Sequence, residues 1–446
     1  MYDYFPFNIF KYIGGKKLPW FIFSKLIEIY LYIFIICNLD KFKKRNTIFI
    51  NSFAFGHSVT ESSIFFHEYG NEGLCISVGN KYNRNKYLKL FFEPYVLLHL
   101  WLPRIRDINI YHALRKRVHG IIESLFEQSK LLNAIIGRKL SIIQRENLLD
   151  NAAINNLIDE YNYSEASAVE LLENFDSVYR KTMGEKASSS LHYLVQQKSL
   201  INPKVPIKLE RENLKFIQMC DSYKSEGSSN KLKVCTLILR KSWKPWSGKG
   251  LNSYLETIQY LHSKKYFVIV IGDLDEFITL RKNKSLENVF YHRDFRMNLK
   301  LFQILAIINS DFCIGDQSGL QALIHFFSKK NFTVNTIPFG QLQYNSVILP
   351  RIWFDENGDK LSISDHLENF LYRIHSVKDE KGVVVGAEYH QPKIILKAAK
   401  DFIETCEKQI DLNELNLDNI FNFKSNCMAR FSKNSYFSPV LIDELK

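Results

Sequence analysis

The chain has 446 residues, of which 46% are hydrophobic and 24% are charged, and this composition is that of a folded protein with room for two domains. Its net charge of +12 favours an anionic partner, but no zinc-finger spacing, RNA-binding aromatic signature or long basic arm is present, which argues against nucleic acid. The 7 cysteines are widely spaced and include no CxxC pair, so reduced thiols in a cytosolic protein are predicted rather than disulfides or zinc.

An apolar and aromatic segment covers residues 18–37, with basic residues before it at 16–17 and after it within 41–45. Its length would just cross a bilayer, but Lys25 and Glu28 interrupt it and make crossing costly. No small-residue cleavage site of a secretory signal is evident. The pattern predicts an interfacial helix on the anionic cytoplasmic face of the cell membrane. The alternatives are a helix packed on the protein's own core and a true transmembrane anchor.

Two β runs at 47–50 and 74–78 enclose a loop and a helical stretch, which predicts a βαβ unit and the start of a Rossmann-like half. In the loop, Gly56 permits a close approach of the backbone to a ligand. His57 beside it is a candidate base or hydrogen-bond donor, although a lone His is more often structural. Glu61 is a second candidate for the base.

The domain boundary is predicted in the polar stretch that contains Pro203 and Pro206 and ends with the linker at 222–230. Residues 80–200 before it have mainly helical patterns and no convincing repeat. The predicted organisation is a membrane-associating segment (1–45), an N-terminal Rossmann-like domain with helical insertions (46–222), a C-terminal Rossmann-like domain (231–378) and C-terminal helices that pack back on the domains (379–446).

Strands and helices alternate again from residue 233 to about residue 335, and each predicted strand ends in polar residues. A parallel sheet places the carboxyl ends of its strands on one edge, where ligands bind. Two arginines at that edge suit a diphosphate, because Arg makes forked contacts to phosphate oxygens. The residues at the strand ends are Arg240, Asp273, Arg293, Asp316 with Ser318, and Asn335.

The loop at 315–319 joins a predicted buried strand to a helix, and Gly315 and Gly319 enclose its polar residues. Backbone N–H groups and a helix N-terminus in such a loop favour a phosphate. The alternative is that the glycines serve the turn and that Asp316 or Ser318 caps the helix. Trp243, in the loop after the first strand of this half, either stacks on a base or packs the loop.

Two Rossmann-like halves facing each other across a cleft are the layout of GT-B glycosyltransferases. The second half resembles bacterial glycosyltransferases of surface-polysaccharide clusters, with a distant likeness to GDP-fucose-using fucosyltransferases. Where that group often has Arg before a Gly-Asp pair, this chain has Val270-Ile271. The resemblance is carried by Leu239-Arg240 with Trp243, Asn252-Ser253-Tyr254, Gly272-Asp273, Phe312 to Leu320 and Val334-Asn335, and Gly56-His57 fits the first-domain loop.

The resemblance implies an α/β enzyme that moves a sugar from a nucleotide-sugar donor to a glycan or lipid-linked acceptor, in O-antigen or capsule assembly. Arg240 would stabilise the leaving nucleotide, and His57 or Glu61 would take the acceptor proton. No metal or cofactor is expected, because a GT-B glycosyltransferase does not need a metal at Asp273-Leu274-Asp275. The donor contacts would be Arg240, Trp243, Asp273, Arg293, Gly315, Asp316, Ser318, Gly319 and Asn335.

Two other functions fit the same pattern. A two-domain sugar-nucleotide epimerase shares the layout and the diphosphate site, and product analysis separates it from a transferase. A non-catalytic polysaccharide- or membrane-binding protein would keep only the fold.

Overall fold

The computed structural model divides into two compact units, Met1–Leu149 and Asp150–Lys446. It describes residues 20–42, 46–51, 55–79, 87–92, 95–101, 120–121, 134, 142–143, 145–162, 164–170, 172–173, 203–223, 233–240, 250–281, 286, 288–336, 346–354, 357–361, 387–408 and 435–441.

The first unit contains a four-stranded parallel sheet in the order β3-β2-β1-β4. Helix α3 connects β1 to β2, which confirms the βαβ unit predicted from the sequence. The order 3-2-1-4 is that of the first strands of a Rossmann sheet. The elements are α1 (Trp20–Ile36), α2 (Leu39–Phe42), β1 (Asn46–Asn51), α3 (Phe55–Tyr69), β2 (Gly73–Gly79), α4 (Leu88–Phe91), β3 (Val96–Trp101) and β4 (Ile142–Ile143).

Helix α1 has one buried face and one exposed apolar face. Leu31 and Ile35 are buried, whereas Ile29, Ile33 and Ile36 are 55%, 39% and 53% exposed. Residues 29, 33 and 36 lie along one side of a helix because side chains three and four positions apart are neighbours. No helix in the part of the chain that the structure describes is long and apolar enough to cross a membrane.

The second unit contains a seven-stranded sheet in the order β13-β10-β9-β8-β5-β6-β7, and every strand pair in it is parallel. Strands β5 to β10 have the Rossmann order 3-2-1-4-5-6, and β13 adds a further strand beside β10. The strands are β5 (Lys233–Leu239), β6 (Tyr266–Gly272), β7 (Val289–Phe290), β8 (Phe312–Asp316), β9 (Lys330–Thr336), β10 (Ser346–Pro350) and β13 (Ser435–Phe437), with the short antiparallel pair β11 (Ile352–Trp353) and β12 (Ala387–Glu388).

The central strands of this sheet are buried along almost their whole length, because helices of βαβ crossovers cover both faces of a parallel sheet. In β5 only Lys233 is exposed. Helix α5 (Arg145–Tyr161) runs across the boundary between the two units at residues 149 and 150. The helices of the second unit are α6 (Ile207–Ser222), α7 (Leu255–Ser263), α8 (Asp275–Arg281), α9 (Leu299–Asn309), α10 (Gln321–Phe326) and α11 (Pro392–Glu407).

Two elements belong to the second unit in ways that the sequence patterns did not predict. Helix α6, within the range assigned to the first domain, packs on this unit through Phe216, whose ring stacks on Phe295 at 4.8 Å. Strand β13 lies in the C-terminal range 379–446, for which helices were predicted, and it pairs with β10 as an edge strand of the seven-stranded sheet. Both contacts join segments that are far apart in sequence, which local periodicity does not reveal.

Candidate functional site

The strand order of the second sheet reverses between β5 and β8. From β5 the chain proceeds through β6 to β7 on one side, and from β8 it proceeds through β9 to β10 on the other. Helices on opposite faces diverge at such a switch point, so a crevice opens at the carboxyl ends of the two strands, where ligands bind in open α/β sheets. Arg240 follows β5 and Asp316 ends β8, so the topology brings these two predicted site residues together.

The end of β5 is held closely by the strands on both sides. A side chain at Gly315 would collide with the backbone oxygen of Ile238, and one at Gly272 would collide with that of Leu239. Both glycines have positive φ, 148° and 99°. In this structure Gly315 therefore lets two strands approach each other, a role that was not predicted when it was placed among the donor contacts.

Asp316 is a buried carboxylate, and protein groups donate hydrogen bonds to both of its oxygens. The Tyr254 hydroxyl donates to Oδ1 at 2.7 Å, and the Arg240 backbone N–H donates to Oδ2 at 2.9 Å. Burial raises the pKa of Asp316 to about 7, although these two donors and the charges of Arg351 and Arg240 act in the opposite direction. Asp316 thus positions the start of the loop after β5, and its oxygens are already occupied by protein donors.

Arg240 is the half-buried cation of the switch point. Its Nη1 donates to the Gln317 carbonyl oxygen at 3.4 Å, which is a long hydrogen bond. Burial lowers the pKa of Arg240, and the negative charges of Asp273 and Asp316 oppose that shift. Because arginine keeps its proton in proteins, the guanidinium is a positive group at the edge where an anionic ligand would bind.

The loop after β8 uses part of its hydrogen-bonding capacity internally. The Ser318 N–H donates to Gln321 Oε1 at 3.2 Å, and the Leu320 N–H donates to Ser318 Oγ at 3.2 Å. Helix α10 has only six residues, so its dipole is small. The expected cradle of free N–H groups at a helix N-terminus is thus reduced. Ser318 Oγ serves the turn before α10 and does not cap the helix, because the N-cap residue is Leu320 and no side chain caps it.

A second arginine lies beyond β10, and the sequence reasoning missed it. Arg351 is buried, and its guanidinium lies 3.6 Å from the centre of the Tyr389 ring. Burial lowers the pKa of Arg351, while Tyr389 and the charge of Asp316 raise it. In the sequence, Arg351 follows an apolar run at 347–350, just as Arg240 follows the apolar run of β5. The run at 347–350 was not predicted to be a strand.

The other predicted residues of the second half lie at different distances from the switch point. Asp273 is exposed at the end of β6, next to β5, and its charge acts on Arg240. Arg293 is exposed beyond β7, two strands from β5 and therefore about 10 Å from it along the sheet edge. Gly319 is exposed in the loop after β8, and Trp243 lies outside the described residues.

In the first unit, Gly56 and His57 lie in the first turn of α3, and the side chain of His57 lies outside the described part. Glu61 is buried in the same helix, and its charge is one cause that raises the pKa of the Cys75 thiol, after burial. The described residues include no group of three His, Cys, Asp or Glu side chains that could hold a metal ion.

No protein-family model and no curated protein matches the sequence. Among solved structures, the chain is similar to the ADP-heptose LPS heptosyltransferase II of E. coli, at 11% identity over 70% of this chain and 92% of that chain, with a TM-score of 0.38. It is similar to a family 9 glycosyl transferase from Veillonella parvula, at 11% identity over 81% and 97%, with a TM-score of 0.41. The UDP-GlcNAc 2-epimerase of Methanocaldococcus jannaschii is similar at 11% identity over 81% and 99%, with a TM-score of 0.32.

Similarities at this level do not decide the chemistry, and these structures include both a transferase and an epimerase. The residues of this chain are therefore the basis for a function. They provide a cation, Arg240, at a Rossmann switch point and a buried carboxylate, Asp316, that accepts a hydrogen bond from the backbone of Arg240. A second arginine, Arg351, is buried on the other side of β8.

Proposed function

We propose that the protein is a GT-B glycosyltransferase that moves a sugar from a nucleotide-sugar donor to a glycan or lipid-linked acceptor. The observation that carries the proposal is the position of Arg240, a half-buried arginine at the carboxyl end of β5, where the strand order reverses. A diphosphate bound there would face a preorganised positive charge at low local dielectric, which stabilises negative charge more than water does.

In the proposed reaction, the bond between the sugar and the donor diphosphate breaks, and Arg240 stabilises the charge that develops on the leaving nucleotide. Asp316 does not contact the donor; it accepts from the backbone of Arg240 and so positions it. The acceptor hydroxyl loses its proton to a base on the first unit. His57 is the preferred base, because Glu61 is buried in α3. Neutralisation of the diphosphate by arginine requires no metal.

The acceptor would belong to bacterial surface-polysaccharide assembly, and the protein would work peripherally at the cytoplasmic face of the cell membrane. Helix α1 supports the membrane part of the proposal, because Ile29, Ile33 and Ile36 form an exposed apolar stripe while the opposite face is buried. A helix with this division can lie in the interface between headgroups and acyl chains. The basic residues at 16–17 and within 41–45 would attract anionic lipid.

A thermal-unfolding panel of GDP, UDP, CDP, ADP and TDP tests the donor site. A ligand at about 100 times its dissociation constant adds about 2.7 kcal/mol of stability. For a second unit of 297 residues (446 − 149), this raises Tm by about 4 °C. We expect one nucleotide to give such a shift in the wild type and a much smaller shift in Arg240→Ala.

Arg293 was expected to be a donor contact, but it is exposed and about 10 Å from the end of β5 along the sheet edge. We therefore expect Arg293→Ala to keep the nucleotide shift, and this variant is the matched control for the loss of an arginine from the same edge. If none of the nucleotides raises the Tm of the folded protein, the donor site is contradicted and the binding-protein alternative is favoured. With a nucleotide identified, product analysis separates transfer to an acceptor from epimerisation of the donor sugar. Transfer that proceeds at the wild-type rate in Arg240→Ala would refute the role of Arg240.

A further inference from the structure

Asn335 occupies an unusual backbone position at the carboxyl end of β9. Its φ is +56°, in the left-handed region that few residues other than glycine adopt, and its side chain is only 2% exposed. Asparagine adopts this region more readily than other non-glycine residues, and the surrounding structure holds it there. The surrounding structure here includes His390, whose backbone N–H donates to Asn335 Oδ1 at 3.0 Å and whose Nε2 lies 2.6 Å from the Pro350 carbonyl oxygen.

The hydrogen bond from His390 fixes the orientation of the Asn335 amide. A backbone N–H donates only to an oxygen, so the amide nitrogen Nδ2 must be the other atom of the group. Nδ2 is buried and has no hydrogen-bond partner among the described residues. The neighbouring Thr336 hydroxyl is also buried and has no hydrogen-bond partner among the described residues. A buried polar group without a hydrogen-bond partner destabilises the folded protein, and a ligand oxygen at this place would remove that cost.

These two groups lie beside the switch point, on the opposite side of β8 from Arg240. Strands β5, β8 and β9 are consecutive in the sheet, so the ends of β5 and β9 are about 10 Å apart, with the 315–319 loop between them. An anion that extends from Arg240 across that loop brings its outer end to Asn335 and Thr336. Arg351 follows the adjacent strand, and its backbone N–H donates to the Thr336 carbonyl oxygen at 3.3 Å. Its guanidinium adds a positive charge to this edge, because the charge of Asp316 at the end of β8 acts on it.

We propose that Asn335 Nδ2 and the Thr336 hydroxyl bind the terminal phosphate of a nucleoside diphosphate. This inference rests on the proposed function, and it names the part of the donor that each side of β8 recognises. Arg240 meets the diphosphate from the β5 side, and the amide and hydroxyl meet its outer phosphate from the β9 side. Both groups are shielded from solvent, so the edge must open locally to admit the phosphate.

The test compares the affinities of mono- and diphosphates by calorimetry, with the pairs GMP/GDP, UMP/UDP, CMP/CDP, AMP/ADP and TMP/TDP and with inorganic pyrophosphate. The variants are Asn335→Asp, which keeps the acceptor for His390 but replaces the donor by a negative oxygen, and Thr336→Val, which removes only the hydroxyl. The matched control is Asn331→Asp in the same strand, because Asn331 is equally buried but its Nδ2 already donates to Thr333 at 2.6 Å.

In the wild type we expect the diphosphate of one pair to bind at least about tenfold more tightly than the monophosphate of that pair. The reason is that the two hydrogen bonds to the outer phosphate are made to a charged group. Asn335→Asp should abolish this difference while the monophosphate affinity stays within a factor of two to three. Thr336→Val should reduce the difference, and Asn331→Asp should leave it unchanged. If Asn335→Asp does not fold, the difference between the mono- and diphosphate affinities of Thr336→Val tests the inference by itself.

Equal weakening of both members of a pair, or an unchanged difference in Asn335→Asp and Thr336→Val, overturns the inference. In that case a nucleotide shift that still depends on Arg240 leaves the proposed function standing. If instead no nucleotide binds to the wild type but pyrophosphate binds and loses affinity in Thr336→Val, the phosphate subsite stands and the donor proposal fails. If neither nucleotides nor pyrophosphate bind to the wild type, both are wrong.

Discussion

The buried Asp316 carboxylate predicts how stability depends on pH. Its pKa is about 7 in the folded protein against a usual value of 3.8, so between these values the folded state holds a proton that the unfolded state has released. Stability therefore falls as pH rises through this window. Between pH 5 and pH 7.5 the expected loss is about 2–3 kcal/mol from this one group, or about 3–5 °C in Tm for the second unit.

The assay is chemical unfolding at pH 5 and pH 7.5 for the wild type, Asp316→Asn and the control Asp273→Asn. An asparagine cannot ionise, so Asp316→Asn should lose about 2–3 kcal/mol less than the wild type on going to pH 7.5, whereas Asp273→Asn, at an exposed position, should follow the wild type. Tyr254→Phe removes the donor to Oδ1 and should make the fall with pH steeper. If Asp316→Asn and the wild type lose the same stability, the carboxylate does not hold its proton in this window and the reasoning is wrong.

Three further predictions follow from the site and from α1. In a nucleotide titration, Arg240→Lys should bind the donor nucleotide about tenfold more weakly than the wild type but more tightly than Arg240→Ala. A lysine keeps the positive charge but cannot make the two parallel hydrogen bonds of a guanidinium. Gly315→Ala should lower stability by about 3 kcal/mol or more in denaturant, since a Cβ meets the Ile238 backbone; Gly358→Ala, at positive φ with open space around it, should cost about 1–2 kcal/mol. Ile33→Asp should reduce co-sedimentation with phosphatidylglycerol vesicles, whereas Ile207→Asp, on the exposed face of α6, should not; equal loss in both would contradict the membrane face of α1.

The sequence was most informative where the structure depends on short-range patterns. Strands β5, β6 and β8 are continuous apolar runs because they are buried on both faces, and such runs are recognisable without any contact information. The convergence of Arg240 and Asp316 followed from a general property of parallel sheets. The roles of the two residues did not follow, because a carboxylate after a strand has the same sequence pattern whether it contacts a ligand or a neighbouring backbone N–H.

Other features depend on contacts between distant segments. Arg351 belongs to the site only because β10 pairs with β9 and because Tyr389, which lies well after it in the chain, stacks on its guanidinium. The distinction between the two atoms of the Asn335 amide depends in the same way on His390. No periodicity in the sequence encodes these contacts, so their chemistry becomes visible only when the strands are assembled.

The pairing of β13 with β10 has a consequence for how the chain is made. Synthesis completes β5 to β10 and α11 before β13 appears, so during that interval β10 presents a bare strand edge with free backbone donors and acceptors. Such an edge is a template for pairing with another chain. A nascent or prematurely terminated chain that ends between α11 and β13 would contain Arg240 and Arg351 but leave this edge open, and we expect it to associate with copies of itself.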